Sequence, residues 1–417
     1  MSKLMPSPTK PRRWGNVMVM RFGFQSNKAV TDNKQAEAAG LYASSAINSD
    51  FYRAETAVLA TPPATGFLVD SKAFNDSTSN ALHALLTTLQ QASYSFTTPT
   101  PSTHQRVLDL RSHVPAADLR DVFGWSLPFA PNSVPNLPLD VCAALLSAGL
   151  LTAKGEQLVS TVRVSTVNRA LYVHSAFPTS QDHAVFLGPD TYRFVRFIEH
   201  AVLDWARGQP VKRRPCRILD IGCGTGAGGM AVVRALQATS PGYGYGQPMG
   251  QPLEVTMNDI NPLALAYTQA NMAFAGLPVQ LALGDALGAV TGCFDIIVCN
   301  PPYMLDTAQR AYRHGGERLG RALSVRIAAQ ALGRLAPGGQ LLLYTGVAMQ
   351  GDQDPFLNEI KPLLAAAQCG WHYNEIDPDV FGETLEQASY SGVERIAAVG
   401  LQAVSRRAGN AALFALI

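Results

Sequence analysis

At 417 residues the chain exceeds one ordinary domain, and with 47% hydrophobic and 15% charged residues it can bury a sizeable core. A net charge of +2 disfavours binding to nucleic acid or an anionic membrane by charge alone. No run of about 18 apolar residues is present, so no membrane span is expected. The six cysteines form no CxxC pair, and the eight histidines form no HExxH or Cys/His cluster. The cysteines read as reduced packing residues of a cytoplasmic protein, and the scattered histidines indicate no metal site.

In chain order, residues 1–35 read as a flexible basic tail whose first acid is Asp32. Residues 36–185 are rich in Ala, Ser, Thr and Pro and read as an α+β cap or substrate-recognition domain. Helical patterns run over Asn80–Gln91 and Leu139–Leu151. The segment Leu150–His174 reads as a helix followed by one β-hairpin, with Lys154-Gly155 as a turn. No chemical motif falls there.

Residues 186–417 change character. A helix over Thr191–Arg207 precedes the strand Arg217–Ile221, then helix Ala227–Leu236, strand Glu254–Met257, helix Pro262–Phe274 and strand Val279–Ala282. Strand Phe294–Cys299, helix Leu319–Leu335, strand Gln340–Tyr344 and helix Pro355–Gln368 come next. Two strands, near Trp371–Ile376 and Arg395–Val404, close the series. Strands alternating with helices predict a doubly wound, mostly parallel α/β sheet. Pro241–Pro252 reads as an inserted loop. The basic clusters Lys10, Arg12, Arg13 and Lys212, Arg213, Arg214, Arg217 read as solvated faces.

The stretch RILDIGCGTGAGG sets Gly222, Gly224 and Gly226 between a strand and a helix, where backbone N–H groups can approach a ligand. Nicotinamide- and flavin-binding folds use similar loops, but the third glycine of their fingerprint is out of place here. Asp220 stands two residues before the first glycine, where a carboxylate can reach an amino group. Asp259 in MNDIN ends the second strand, suited to a ribose diol. Asp285 in LALGDAL ends the third, suited to an adenine amine. Each acid alone is more often a cap; three at successive strand ends on one sheet edge point to a nucleoside site.

The strand Phe294–Cys299 exits through Asn300-Pro301-Pro302-Tyr303. Two prolines stiffen a strand exit, but that accounts for neither the asparagine nor the tyrosine. Asn300 can offer its amide oxygen beside the Pro301 carbonyl, so that two acceptors hold the hydrogens of one –NH2 group. The face of Tyr303 can stack on a planar substrate and attract a cationic methyl.

The combination DIGCGTG, NDIN, GDA and NPPY resembles the class I S-adenosylmethionine-dependent methyltransferases. It is similar to the "methyltransferase small" group that includes release-factor glutamine methyltransferases. The resemblance spans residues 191–404. FLGPDTYRFVRF looks like that family's proline-containing lead-in, with Pro189, Asp190 and Thr191 matching and Tyr192 where an acid is usual. RHGGERLG resembles its glycine-rich loop after the fourth strand. The resemblance implies a Rossmann-like methyltransferase sheet of seven strands. It also implies S-adenosyl-L-methionine at Asp220, Gly222, Gly224, Gly226, Asp259, Ile260, Asp285, Ala286 and Asn300, with Asn300, Pro301, Pro302 and Tyr303 at the catalytic position. The expected activity is methyl transfer to a planar nitrogen of a small molecule or a protein glutamine. A nucleobase amine in rRNA is a further acceptor, disfavoured by the weak net charge. Intramolecular cyclisation of S-adenosylmethionine to azetidine-2-carboxylate and methylthioadenosine is a second chemistry open to the same residues. A non-catalytic binding module is disfavoured because NPPY and all three acids are present.

Overall fold

The computed structural model describes residues 75–208, 214–239, 251–306, 310 and 312–406. The expected tail, the first part of the cap region and most of the inserted loop lie outside them. The N-terminal layer begins with α1 (Asp76–Gln91), α2 (Pro101–Leu110), α3 (Leu119–Phe123) and α4 (Leu139–Ser147). Asn75 caps α1, its side chain accepting from Thr78 N at 2.8 Å.

Helix α4 stops short of the expected Leu151 because Gly149 turns the chain at φ +70°. Two hairpins come after it, not one. Strands β1 (Leu151–Lys154) and β2 (Gln157–Ser160) pair across Gly155, and β3 (Val162–Val167) pairs with β4 (Ala170–Ser175). The second turn is Asn168-Arg169, both at positive φ, the two-residue geometry that matches strand twist. It lacks the glycine that marks such turns in a sequence, which is why sequence patterning discloses only one hairpin.

The remainder is α5 (Pro189–Arg207), β5 (Cys216–Ile221), α6 (Ala227–Thr239), β6 (Leu253–Asp259), α7 (Pro262–Phe274) and β7 (Gln280–Leu283). It continues through β8 (Phe294–Cys299), α8 (Ala322–Leu332), β9 (Leu335–Met349), α9 (Pro355–Ala366), β10 (Cys369–Asp377) and β11 (Arg395–Ser405). One seven-stranded sheet runs β10-β11-β9-β8-β5-β6-β7. Neighbours from β9 to β7 are parallel, whereas β11 is antiparallel to both β9 and β10. This is the doubly wound sheet expected.

Helix α8 starts three residues later than expected, because Arg318, Leu319 and Gly320 all carry positive φ and cannot be helical. Strand β9 is far longer than expected, since Gln340–Met349 pairs along β11.

Alternation along the central strands explains both covered faces. Ile218, Ile296, Val298 and Leu342 face the cluster of α5 and α6, while Leu219, Ile297, Cys299 and Leu341 face that of α8 and α9. A third cluster packs α1, β3 and β4 onto Ala264 and Tyr267 of α7. The Asn271 side chain of α7 accepts from Val173 N at 2.8 Å, tying β4 to this helix. Two members of the second basic cluster are structural. Arg214 pairs with buried Asp295 at 2.6 Å, and Arg217 lies 4.7 Å over the Phe294 ring. Among the described residues no helix is long and apolar enough to cross a membrane.

Candidate active site

The parallel pairing of Ile221 with Cys299 brings the loops after β5 and β8 off the sheet at the same level. The first of these holds Gly222, Gly224 and Gly226 at φ +66°, +55° and +79°, left-handed values that glycine adopts without strain. A Cβ at Gly222 or Gly224 would meet nothing within 4 Å, so both present backbone to open space. Gly226 faces inward, where a Cβ would come 3.1 Å from Thr268 Cγ2.

Asp220 lies beneath this loop, not on its ligand side. It is 1% exposed and accepts from Gly229 N at 2.8 Å, holding the start of α6. Burial pushes its carboxyl up to about 7, with the Gly229 N–H opposing and neighbouring Asp259 adding. Asp259 grips the loop from the next strand. Its Oδ2 accepts from Gly224 N and its Oδ1 from Asn261 N, both at 2.9 Å. Burial raises its carboxyl as well, against those N–H groups. The preceding Asn258 donates to Ala282 O and Gly284 O at 3.0 Å, joining the ends of β6 and β7. That places Asp285 nearby, where its carboxylate takes both guanidinium arms of Arg326 at 2.8 and 2.9 Å.

After β8, the backbone of Asn300-Pro301-Pro302-Tyr303 is held by long-range contacts. Met304 N donates to Arg313 O at 3.1 Å. The glycines of the RHGGERLG segment are required by close approach. A Cβ on Gly315 would sit 2.6 Å from Pro302 O, and one on Gly320 2.5 Å from the Tyr303 carbonyl carbon. The Tyr303 ring lies against Gly346 of β9, where a Cβ would come 3.0 Å from Tyr303 Cζ, and meets Phe381 edge-on. Its hydroxyl donates to Asp190 Oδ2, and Tyr344 donates to Asp190 Oδ1 at 2.9 Å. Burial raises the Asp190 carboxyl against these two donors. The Asp190 of the lead-in therefore holds the tyrosine of NPPY. Tyr192 turns the other way, its oxygen accepting from Thr98 N at 3.0 Å.

One cavity of about 490 Å³ joins these pieces. Its wall includes Gly222, Gly224, Asp259, Ile260, Asp285, Ala286, Asn300, Pro301, Pro302 and Tyr303. Asp220 and Gly226 are off the wall. Ile260 is 60% exposed, an apolar side chain on a polar rim. Tyr303 is only 6% exposed, so little of its ring remains for stacking. The wall also includes residues that sequence reasoning does not assign to the site: Phe177, Pro178 and Thr179 after β4, Phe186, and Arg310, Tyr312, Arg313 and Phe381. Phe186 and Arg313 belong to the recognised segments FLGPDTYRFVRF and RHGGERLG, and Phe177–Thr179 fall in the expected cap or substrate-recognition region, but no motif marks them as site residues. A nucleoside cosubstrate fits this site: two open glycines at a helix N-terminus, a carboxylate at the next strand end, and a volume in the small-molecule range.

The family model Methyltransferase small domain matches residues 209–359. The release factor glutamine methyltransferase of Deinococcus radiodurans is 36% identical over 180 residues, 40% of this chain and 55% of that protein. The ribosomal RNA small subunit methyltransferase C of Pasteurella multocida is 33% identical over 135 residues, 32% of each chain. The match thus spans about half the first relative and a third of the second. Among solved structures, a SAM-dependent methyltransferase from Agrobacterium tumefaciens is 15% identical with a TM-score of 0.37, over 62% of this chain and 72% of that one.

Proposed function

We propose that this chain, which carries a methyltransferase small domain, is an S-adenosylmethionine-dependent enzyme that methylates a planar amide or amine nitrogen. The observation that carries the reading is the shared cavity: Gly222, Gly224 and Asp259 line it together with Asn300 and Pro301. S-adenosylmethionine, when bound, supplies an electrophilic methyl on a sulfonium. Asp259 accepts from the ribose hydroxyls through lone pairs that its two backbone donors leave over. Ile260 covers one face of the nucleoside, and Asp285 shares its carboxylate between Arg326 and the adenine amine.

Asn300 Oδ1 and the Pro301 carbonyl accept the two hydrogens of the acceptor –NH2, aiming its lone pair at the methyl, so that the N–C bond would form as the methyl–sulfur bond breaks and the nitrogen's surplus proton would pass to solvent. A delocalised nitrogen is a weak nucleophile, so orientation matters more than a strong base. The prolines remove competing N–H donors, and Asp190 keeps Tyr303 and hence the exit rigid. Residues 75–185 supply the acceptor wall through Phe177–Thr179, and the small-molecule or protein acceptor enters there. A cytoplasmic location belongs to the same reading.

Mass spectrometry of the full chain with S-adenosylmethionine, first alone and then with candidate amides and amines, tests this. S-adenosylhomocysteine together with a methylated acceptor is the expected result. Methylthioadenosine formed from S-adenosylmethionine alone would replace methyl transfer with cyclisation. No binding of S-adenosylhomocysteine in calorimetry would remove the reading altogether.

A further inference from the structure

Arg163 on β3 is 1% exposed. Its Nε donates to Ser175 O at 3.2 Å and one terminal nitrogen to Thr179 Oγ1 at 3.4 Å, and the guanidinium lies 5.9 Å from the Phe177 ring centre. Among the described residues it forms no ion pair. Burial lowers it to about 10, so it stays charged at neutral pH, and the groups that oppose this are the tyrosines Tyr94 and Tyr192, not acids. Both nearby imidazoles are neutral: burial and Arg163 push His104 down to about 4 and His174 well below its usual value. A buried cation without a counter-ion is costly and calls for an explanation.

Phe177 and Thr179, two of the residues around this guanidinium, both line the cavity. The Thr179 carbonyl in turn accepts from Tyr312 at 2.7 Å, which connects Arg163 to the segment after NPPY. That segment carries a second charge surplus. Arg310 takes both oxygens of Asp306 at 2.5 and 2.9 Å, leaving Arg313 with a contact of 3.9 Å to the same carboxylate. Two guanidiniums on the cavity wall thus share one acid. The carboxylates of the wall itself are engaged elsewhere: Asp190 by two tyrosines, Asp259 by the glycine loop and Asp285 by Arg326.

We propose that the acceptor is an anion: a carboxylate or phosphate group on the amine-bearing molecule sits against Arg313, with Arg163 supplying positive potential from behind Thr179. The proposal rests on the reading of this cavity as the methyl-acceptor site. Phe177, Pro178 and Tyr312 give the same acceptor an apolar, flat surface, so the molecule it describes is planar with one anionic substituent. Arg313 binds directly. Arg163 is a positioning residue that acts through Thr179 and through its field.

Thermal melts of the full chain, with and without saturating S-adenosylhomocysteine, test this against inorganic phosphate and against acetate. Chloride keeps the ionic strength constant. Wild-type protein is expected to show a saturable rise in Tm with at least one anion, as binding to the folded state requires. Arg313→Gln should weaken that anion's apparent affinity tenfold or more, and Arg163→Met at least threefold, with S-adenosylhomocysteine affinity by calorimetry within twofold of wild type. A response to phosphate alone assigns a phosphorylated acceptor, and a response to acetate alone a carboxylate. No saturable rise in wild type, or equal rises in all three proteins, overturns the proposal. So does a tenfold loss of S-adenosylhomocysteine affinity in either variant, which would give the arginines to the cosubstrate's own carboxylate. If Arg163→Met fails to fold, Arg313→Gln decides. Wild-type protein that binds an anion but no S-adenosylhomocysteine would break the methyl-transfer reading and leave the anion site standing.

Discussion

Two loops leave adjacent strands of one sheet side by side, and they are built in opposite ways. The loop after β5 uses three glycines at positive φ, and the backbone of Gly222 and Gly224 lines the cavity. The exit after β8 uses two prolines, which lack N–H groups, and Asn300 through Tyr303 line the cavity. The first is fastened from below by carboxylates a few residues or one strand away, Asp220 and Asp259. The second is fastened by Asp190, 113 positions before Tyr303, and packed by Gly346 and by Gly315 and Gly320 of the segment that follows it. Under the proposed function, the glycine loop receives the cosubstrate and the proline exit an –NH2 group.

The sharpest way to break this contrast is Asn300→Ala, which removes one acceptor and leaves the glycine loop untouched. Turnover should fall by on the order of 10²–10³, about 3–4 kcal/mol, with S-adenosylhomocysteine affinity unchanged in calorimetry. Near-normal kcat would reduce NPPY to a stiff strand exit. Next comes the remote support of the proline exit. Gly320→Ala forces a Cβ onto the Tyr303 backbone from a left-handed residue. A stability loss of about 2–3 kcal/mol is expected in urea unfolding, together with lower turnover. A variant as stable as wild type would show that the exit does not depend on that packing.

On the other loop, Asp259→Ala should weaken S-adenosylhomocysteine by about 1–3 kcal/mol, the range for charge-assisted hydrogen bonds. Unchanged calorimetric affinity in a folded variant would take Asp259 out of the site. The smallest effect concerns Asp220. Its folded carboxyl, near 7, lies above the usual unfolded value of about 3.9, so the native state binds the proton more tightly. The stability this gives is complete at pH values below the unfolded pKa and is lost as pH rises towards and through 7. The Tm of Asp220→Asn minus that of wild type should therefore increase by about 1–3 °C between pH 5 and pH 8. A flat difference would mean that Asp220 is ionised throughout.

The two loops also differ in how much of them the sequence discloses. Glycine spacing and acids at strand ends are local demands of backbone and charge, so Gly222, Gly224 and Asp259 are readable from the sequence alone. The placement of Asp220 is not. The residue type announces a carboxylate, but only the packing of α6 over β5 decides that it faces Gly229 and not the cavity. Asn300–Tyr303 is readable as a segment, whereas Tyr344 and Gly346 belong to a strand that looks like any buried strand. The wall formed by Phe177–Thr179 is opaque for the same reason. It comes after a hairpin whose turn, Asn168-Arg169, carries no glycine, and its side chains acquire meaning only through Tyr312, over 130 positions later.

The antiparallel position of β11, between β9 and β10, carries a consequence for synthesis on the ribosome. Strand β9 ends at Met349 and its partner begins at Arg395, 46 positions later. At translation speeds of roughly 5–20 residues per second, that interval lasts about 2–9 s. Throughout it the long, apolar β9 has β8 on one side and no neighbour on the other, while the buried faces of Ile396, Val399 and Leu401 do not yet exist. An unpaired hydrophobic edge of that length invites pairing with other nascent chains. A message truncated before codon 395 should therefore yield aggregates, not a shorter folded protein, even though every residue of the cavity wall has already been made.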